Sequence, residues 1–379
     1  MPELKIHTHP ATSPVLQSAL TASLPYSINL VYRTRHANRT PDAHILATFP
    51  AAAENQDQTQ PQCQQQDQQQ EQEQIHHGQS NPPHCWAAAY FDRSMRPETE
   101  LWIFASGEMP GHSRSGDESG LCGTCRAAVV SLLDYLSTLA EPPLHPENAA
   151  ALALARRHEQ EHPETGPEVR YPLSPGAYMR HLLLPGVVTL GACHHEIVRI
   201  CHESGLVREE FPGLEAPVNK FLFKISNLPH RRELPEGLRW GQMREKDIAI
   251  VQSRTDIPRA KRTLLSMESV GVFEEETDQV VAWTFLGLDG ALSTLHTEPA
   301  YRGKGIAKAV AAKLFREHVP GLADDEQGNA WAHADVYVGN AQSESVCKSL
   351  GGEAMWRIFW VRIDVTRAGN LAVREDRTM

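Results

Sequence analysis

The sequence Leu295–Lys308, LHTEPAYRGKGIAK, has the pattern of a strand that passes through a tight loop into a helix. Pro299 lacks a backbone N–H and so ends the strand. From Ile306 onward, apolar residues recur at four-residue intervals, as on one helix face. Glycines before a helix let backbone N–H groups approach an anion, and the helix dipole favours it. The stretch therefore predicts a phosphate or pyrophosphate loop, although a purely structural strand-to-helix turn has the same pattern.

The glycine spacing of this loop excludes two common phosphate-binding motifs. It contains neither the G-x-x-x-x-G-K-[ST] of a Walker loop nor the G-x-G-x-x-G of a dinucleotide-binding turn. What remains is Arg302-x-x-Gly305-x-Ala307, which resembles the Q/R-x-x-G-x-G/A signature of the GNAT acyltransferase superfamily. In that superfamily the loop amides hold the pyrophosphate of coenzyme A, so the resemblance implies acetyl-CoA or another acyl-CoA as co-substrate.

The flanking sequence extends the resemblance over about residues 238–363. Its predicted elements follow the order β-α-α-β-β-β-α-β-α-β of the GNAT core. Thr297-x-Pro299 stands where the family commonly has V-x-P, and Ser345–Gly352 resembles the family's Y-E-K-L-G-F ending. The tract Ala282–Lys308 also resembles glycine N-acyltransferases, which pair an active C-terminal GNAT domain with a degenerate N-terminal one.

The predicted fold class is therefore α/β (α+β), with a mixed, mostly antiparallel sheet flanked by helices. We expect a degenerate GNAT-like domain over residues 1–230 and a catalytic domain over residues 238–379, because the first half contains no matching loop. Alternating runs at 27–32 and 43–49 predict its first two strands. A Gln-rich insert at about 54–83 has little apolar surface to bury, which predicts a disordered loop.

The resemblance also implies which residues contact the donor. In the family, the pantetheine arm of coenzyme A inserts between two splayed strands. The backbone of the strand before the glycine loop would therefore contact this arm, and the loop itself would hold the pyrophosphate. An asparagine just after the following strand would contact the arm as well. The predicted coenzyme-binding residues are Leu295, Thr297, Arg302, Gly303, Lys304, Gly305, Ile306, Ala307 and Asn340.

The usual catalytic side chains are replaced in this sequence. Many relatives have a glutamate base where this chain has Ala291, and a tyrosine acid where it has Cys347. Because the amine must lose a proton, a base or a water relay is still needed. The candidate bases are His296, Asp335 and His333, and the candidate acid is Cys347, for which a packing role is the alternative.

The seven cysteines include Cys122-Gly-Thr-Cys125, at the start of a predicted helix. One C-x-x-C without a second matching pair is weak evidence for zinc. The group Cys193, His194, His195, Cys201 and His202 does not converge on one point if it is helical. We therefore expect no metal, and helix-start packing for Cys122 and Cys125, with a redox role as the alternative.

The net charge of −11 and the absence of a long basic run argue against nucleic acid as a partner. No apolar run reaches the ~20 residues of a membrane helix, and the first residues do not resemble a signal peptide. We expect a cytoplasmic protein that binds acyl-CoA and an amine acceptor. The leading hypothesis is an acyl-CoA-dependent N-acyltransferase, specifically an N-acetyltransferase, that acts on a small amine or amino acid by direct transfer. The alternatives are a protein N-acetyltransferase and a non-catalytic coenzyme A-binding or scaffold protein.

Overall fold

The computed structural model describes residues 4–51, 82–112, 120–163, 175–230, 233–255, 257 and 259–371. Most of the Gln-rich insert, and residues 372–379 of the predicted catalytic domain, lie outside this part of the chain. The described strands are β1 (His7–Thr8), β2 (His44–Ala47), β3 (Ala87–Phe91), β4 (Leu101–Ala105), β5 (Val187–His194), β6 (Val218–Lys224), β7 (Leu238–Gly241), β8 (Ser269–Glu274), β9 (Val280–Leu286), β10 (Leu292–Thr297), β11 (Trp331–Tyr337) and β12 (Glu353–Asp364).

The described helices surround these strands. They are α1 (Pro14–Ala22), α2 (Ile28–Arg35), α3 (Gly123–Leu136), α4 (Ala149–Glu161), α5 (Pro175–Met179), α6 (His195–Glu203), α7 (Ile248–Ser253), α8 (Lys261–Leu265), α9 (Ile306–His318) and α10 (Ala341–Ser349). Within the described ranges, no helix combines the length and the apolar character needed to cross a membrane.

The strands form an eight-stranded sheet in the order β1-β2-β3-β4-β5-β12-β6-β11 and a four-stranded sheet in the order β10-β9-β8-β7. Strand β12, from the end of the described chain, lies between β5 and β6, and β6 lies between β12 and β11. The two halves of the sequence therefore contribute interleaved strands to one sheet. The division of the chain into two domains, residues 1–230 and 238–379, stays a prediction.

Both sheets are covered by apolar faces of helices. On one side α9 buries Val310, Leu314 and Phe315 in the largest core, which also receives residues of α1 and α2. A second core lies under α3 and α6, and a third lies between the four-stranded sheet and α7 and α8. The predicted mixed, mostly antiparallel sheet with flanking helices is confirmed.

The prediction of a strand over residues 27–32 is wrong, because Ile28–Arg35 form helix α2. Ile28, Leu30 and Tyr32 do alternate with other residues, but Val31 is buried as well. Burial on most sides of the segment removes the distinction between inward and outward positions on which the strand prediction rested.

A buried ion pair joins the elements of the two halves. Lys220 on β6 pairs in register with Asp335 on β11, and its Nζ lies 2.6 Å from the Asp335 carboxylate. The same Nζ lies 3.0 Å from Asn29 Oδ1 on α2 and 3.1 Å from His333 Nδ1. Lys220 is fully buried. These contacts tie α2, β6 and β11 together at one point.

We predict that Lys220→Met destabilises the protein strongly, because it leaves the Asp335 carboxylate buried without its cation. Breaking a buried pair from one side typically costs about 3–5 kcal/mol. Lys348→Met is the matched control, since Lys348 makes an exposed ion pair with Glu344 one helical turn away. Urea unfolding of both variants measures the difference. Equal midpoints for the two variants would contradict a structural role for the buried pair.

Candidate functional site

Strand β10 contains a bulge directly before the glycine loop. Ser293 pairs with Phe285 of β9, and the next paired residue is His296, opposite Trp283. Thr294, with a φ of 50°, and Leu295 fall between these positions. A bulge turns backbone groups out of the ladder. The peptide groups of Thr294 and Leu295 therefore lie outside the register with β9.

Strands β10 and β11 run side by side only at their start. A single parallel bridge joins Ala291 to His333, and the two strands belong to separate sheets beyond it. The other edge of β11 is paired with β6 along its whole length. Thr294 Oγ1 and Thr297 Oγ1 on β10 are buried without a hydrogen-bond partner among the described residues. The two strands thus diverge beyond the bridge, and β10 stands at the edge of its sheet.

The loop after β10 presents backbone N–H groups at the start of α9. Gly303 has a φ of 75° and Gly305 a φ of 78°, a conformation that side chains with a Cβ rarely adopt. Gly305 is the N-cap of α9 and offers no side-chain acceptor to the helix. Because the first helical bond runs from Ala309 N–H to Gly305 O, the preceding amides of the first turn have no intrahelical partner.

Cations surround these amides. Arg302 and Lys304 are exposed, and Arg302 Nε donates to the carbonyl of Thr297 at 3.0 Å. Lys308, in the first turn of α9, lines a cavity of about 310 Å³ that runs along the helix. Trp240 and Lys313 line the same cavity. Positive side chains next to a helix N-terminus suit an anionic ligand.

Asn340 follows β11 on the far side of the divergence. Its Oδ1 accepts the N–H of Ser343 at 3.1 Å and caps α10. This cap is a structural role for the side chain oxygen. The residue also lies at the predicted place, just after the strand that diverges from β10.

His296 stacks on the buried ring of Trp283, with 4.6 Å between the ring centroids. Its Nε2 lies 3.7 Å from Glu298 Oε1 and makes no hydrogen bond among the described residues. Burial lowers the pKa of His296, and the nearby Glu298 carboxylate opposes part of this shift. A neutral imidazole whose buried Nε2 has no hydrogen-bond partner among the described residues has the protonation state of a general base at neutral pH.

Asp335 is engaged by its buried cation. Burial alone would raise the pKa of Asp335, but the charge of Lys220, with help from His333, lowers it to about 2. A carboxylate with so low a pKa is a weak base. His333 is held as well, since its Nε2 lies 2.8 Å from the carbonyl oxygen of Asp289. The signal for this network in the sequence is Lys220, which precedes the apolar run Phe221–Phe223 within β6.

Cys347 is buried in the largest core, on α10. Burial raises its pKa to about 12, and the charges of Asp335 and Glu344 add to the effect. Proton donation from such a thiol to a leaving thiolate is unfavourable. Asp335 and Cys347 are thus electrostatic neighbours, whereas His296 is influenced by Glu298, Arg302 and Arg254 instead. Of the three predicted catalytic residues, Asp335 and Cys347 thus influence each other, and their relation to the acceptor stays a prediction.

Two family models match the chain. Residues 3–222 match the model described as the acyl-CoA N-acyltransferase verG N-terminal domain, and residues 269–361 match that of FR47-like protein. The first match covers more than half of the chain. The protein therefore belongs to the acyl-CoA N-acyltransferase family defined by the verG N-terminal domain, within the GNAT superfamily. No curated protein gives a significant match.

Several solved structures have weak likeness to the chain. A tandem GNAT protein from the clavulanic acid biosynthesis pathway is 10% identical, with 95% of this chain and 98% of that chain covered and a TM-score of 0.40. A Drosophila protein is 13% identical, with 76% and 77% covered and a TM-score of 0.45. A GCN5-related N-acetyltransferase from Sphaerobacter thermophilus is 12% identical, with 74% and 77% covered and a TM-score of 0.36. Scores below 0.5 do not bear on the activity of this chain.

We predict that Gly305→Val weakens coenzyme A binding at least about tenfold, because a β-branched residue at positive φ distorts the loop amides. Gly321→Val is the matched control. Gly321 also has a positive φ, 83°, but lies beyond the other end of α9 with open space around it. Isothermal titration with coenzyme A compares the two variants with the unaltered protein. The loop assignment fails if Gly305→Val binds as tightly as Gly321→Val.

Proposed function

We propose that this protein transfers an acyl group, specifically acetyl, from acyl-CoA directly to a small amine or amino acid. The observation that carries the proposal is the divergence of β10 from β11 beyond the Ala291–His333 bridge, directly before a glycine loop at a helix N-terminus. An extended ligand arm can enter such a gap, while its charged end reaches the loop amides.

The donor would lie along this gap. In the proposal, backbone groups at Leu295 and Thr297 contact the pantetheine arm, and Asn340 contacts it from the opposite side. The amides of the Arg302–Ala307 loop hold the pyrophosphate. The position of β10 at the edge of the four-stranded sheet supports this arrangement, because an extended ligand can add to an unpaired strand edge.

The chemistry requires two proton movements. The amine nitrogen attacks the thioester carbonyl, and the carbonyl oxygen becomes an oxyanion that a backbone N–H of the β10 bulge can stabilise. The amine gives its proton to a base, and the thiolate leaves as the amide forms and takes up a proton as free coenzyme A. We assign the base to His296, because the other two candidate bases are engaged. Asp335 is held by Lys220, and His333 Nε2 lies 2.8 Å from the carbonyl oxygen of Asp289.

A coenzyme A-binding protein without turnover is the second candidate. Ala291 stands where the family commonly has its glutamate base, and Cys347 occupies the place of the tyrosine acid. The buried state of Cys347 favours this candidate, since the thiol is a poor acid there. Binding and turnover must therefore be measured separately.

The experiment is a thiol-release assay with acetyl-CoA and a panel of small amines and amino acids, accompanied by titration calorimetry. The proposal expects binding at sub-millimolar concentration and release of free thiol with at least one acceptor. Acetylation of peptides alone would indicate a protein N-acetyltransferase. Binding without release for every acceptor would favour the non-catalytic candidate, and absence of binding would contradict both.

The pH profile of the same assay tests His296. A base acts only when neutral, and its lowered pKa predicts that kcat/KM, expressed for the unprotonated fraction of the amine, rises with pH below about 6.5 and is level above. His296→Gln should remove this rise and lower the plateau by about 10²–10⁴-fold. His195→Gln, at an exposed histidine of α6, is the control. An unchanged profile in His296→Gln would contradict the assignment.

A further inference from the structure

Four side chains with metal-binding atoms converge in the first half of the chain. Cys85 lies just before β3, and His112 follows the short 3-10 turn Ser106–Glu108 at the end of β4. Cys122 is the N-cap of α3, and Cys125 lies in its first turn. The three sulfur atoms and one histidine nitrogen all lie within 4.8 Å of one another. Residues from three separate parts of the fold thus meet at one point.

The spacing of these atoms fits a tetrahedron. His112 Nε2 lies 3.3 Å from Cys85 Sγ, 3.2 Å from Cys125 Sγ and 3.8 Å from Cys122 Sγ, and the sulfurs of Cys85 and Cys122 are 3.6 Å apart. Zinc held at about 2.3 Å by sulfur and about 2.0–2.1 Å by nitrogen gives ligand-to-ligand edges of roughly 3.6–3.8 Å. The four edges given above differ from these values by at most about 0.4 Å, and the other two are no longer than 4.8 Å, so small side-chain shifts suffice to accommodate a tetrahedral zinc ion.

The helix N-terminus favours a thiolate at Cys122. The N–H of Cys125 points to Cys122 Sγ at 3.4 Å, at the N-terminus of the fourteen-residue helix α3. A helix N-terminus stabilises negative charge on sulfur, which is the form that binds metal. The ring of His84 stacks on His112 with 4.3 Å between centroids and helps to hold the imidazole orientation. Three sulfur atoms converge on one imidazole nitrogen, which is expected of a metal site. Simple packing of cysteines in the interior does not require this convergence.

A disulfide is the other chemistry open to these cysteines. A bonded pair needs a sulfur–sulfur distance of about 2.05 Å, whereas Cys85 and Cys122 are 3.6 Å apart. A Cys85–Cys122 disulfide would also leave Cys125 and His112 without a function. The four-atom arrangement matches a metal better than it matches one bond between two of its members.

We propose that Cys85, His112, Cys122 and Cys125 bind one zinc ion. Four protein ligands fill the coordination sphere, so the site is structural and not catalytic. The ion joins the start of β3, the segment after β4 and the start of α3. This proposal departs from the expectation of no metal. Two of the four ligands, Cys122 and Cys125, form a C-x-x-C motif. The other two, Cys85 and His112, are far apart in the sequence, so no second motif indicates the site.

The test is the metal content of the full-length protein, purified under reducing conditions from zinc-supplemented cells and measured by mass spectrometry of the elements. We expect one zinc per chain. Cys122→Ala and His112→Ala should each lose it, whereas His112→Cys should keep it, because four cysteines also form a structural zinc site. Cys201→Ala, at a buried cysteine of α6 outside the cluster, should keep one zinc.

Two further measurements keep the test decisive if variants fail to fold. Unaltered protein stripped by a chelator and refilled with Co²⁺ should show the intense absorption of tetrahedral thiolate coordination, and its melting temperature should fall on stripping and recover with Zn²⁺. Absence of zinc and of this Co²⁺ spectrum in the unaltered protein would overturn the proposal. So would equal zinc content in Cys122→Ala, or a Cys85–Cys122 disulfide that persists in the protein isolated without reductant.

Discussion

The buried pair of Lys220 and Asp335 is the contact on which the arrangement of the second half depends. It lies between β6 and β11 and fixes the register of these strands in the interior. Because β11 is paired with β6 along its whole length, its other edge is left to β10, which it meets only at the Ala291–His333 bridge. The gap proposed for the donor is a consequence of how β11 is held.

The two halves of the chain share a strand that precedes a helix, but the N-terminus of that helix carries different groups in each half. In each half a strand with one parallel pairing at or next to its start precedes a helix in the chain, β4 before α3 and β10 before α9. The N-terminus of α9 begins at glycines and presents backbone amides, whereas the N-terminus of α3 begins at Cys122 and presents thiols. The same helix-terminus electrostatics favour an anion in one half and a metal-bound thiolate in the other.

Features of the fold that depend on residues close together in the sequence could be predicted from sequence patterns. The order of elements over residues 238–363 and the loop at Gly305 follow from periodicity, glycine positions and the family resemblance, and the described elements agree with them. Helix α2 was read as a strand because burial on most of its sides hides the helical period. The interleaving of β6 and β12, the role of Lys220 and the meeting of Cys85 with Cys122 depend on distant residues, and no local pattern records such contacts.

The position of bound coenzyme A tests the central claim most directly, and a crystal structure of the complex measures it. We predict from this claim that the pantetheine arm lies between β10 and β11, with the pyrophosphate on the amides of the Arg302–Ala307 loop. It is contradicted if the coenzyme occupies only the cavity along α9 near Trp240 and Lys313, with the loop empty and the gap between the strands unoccupied.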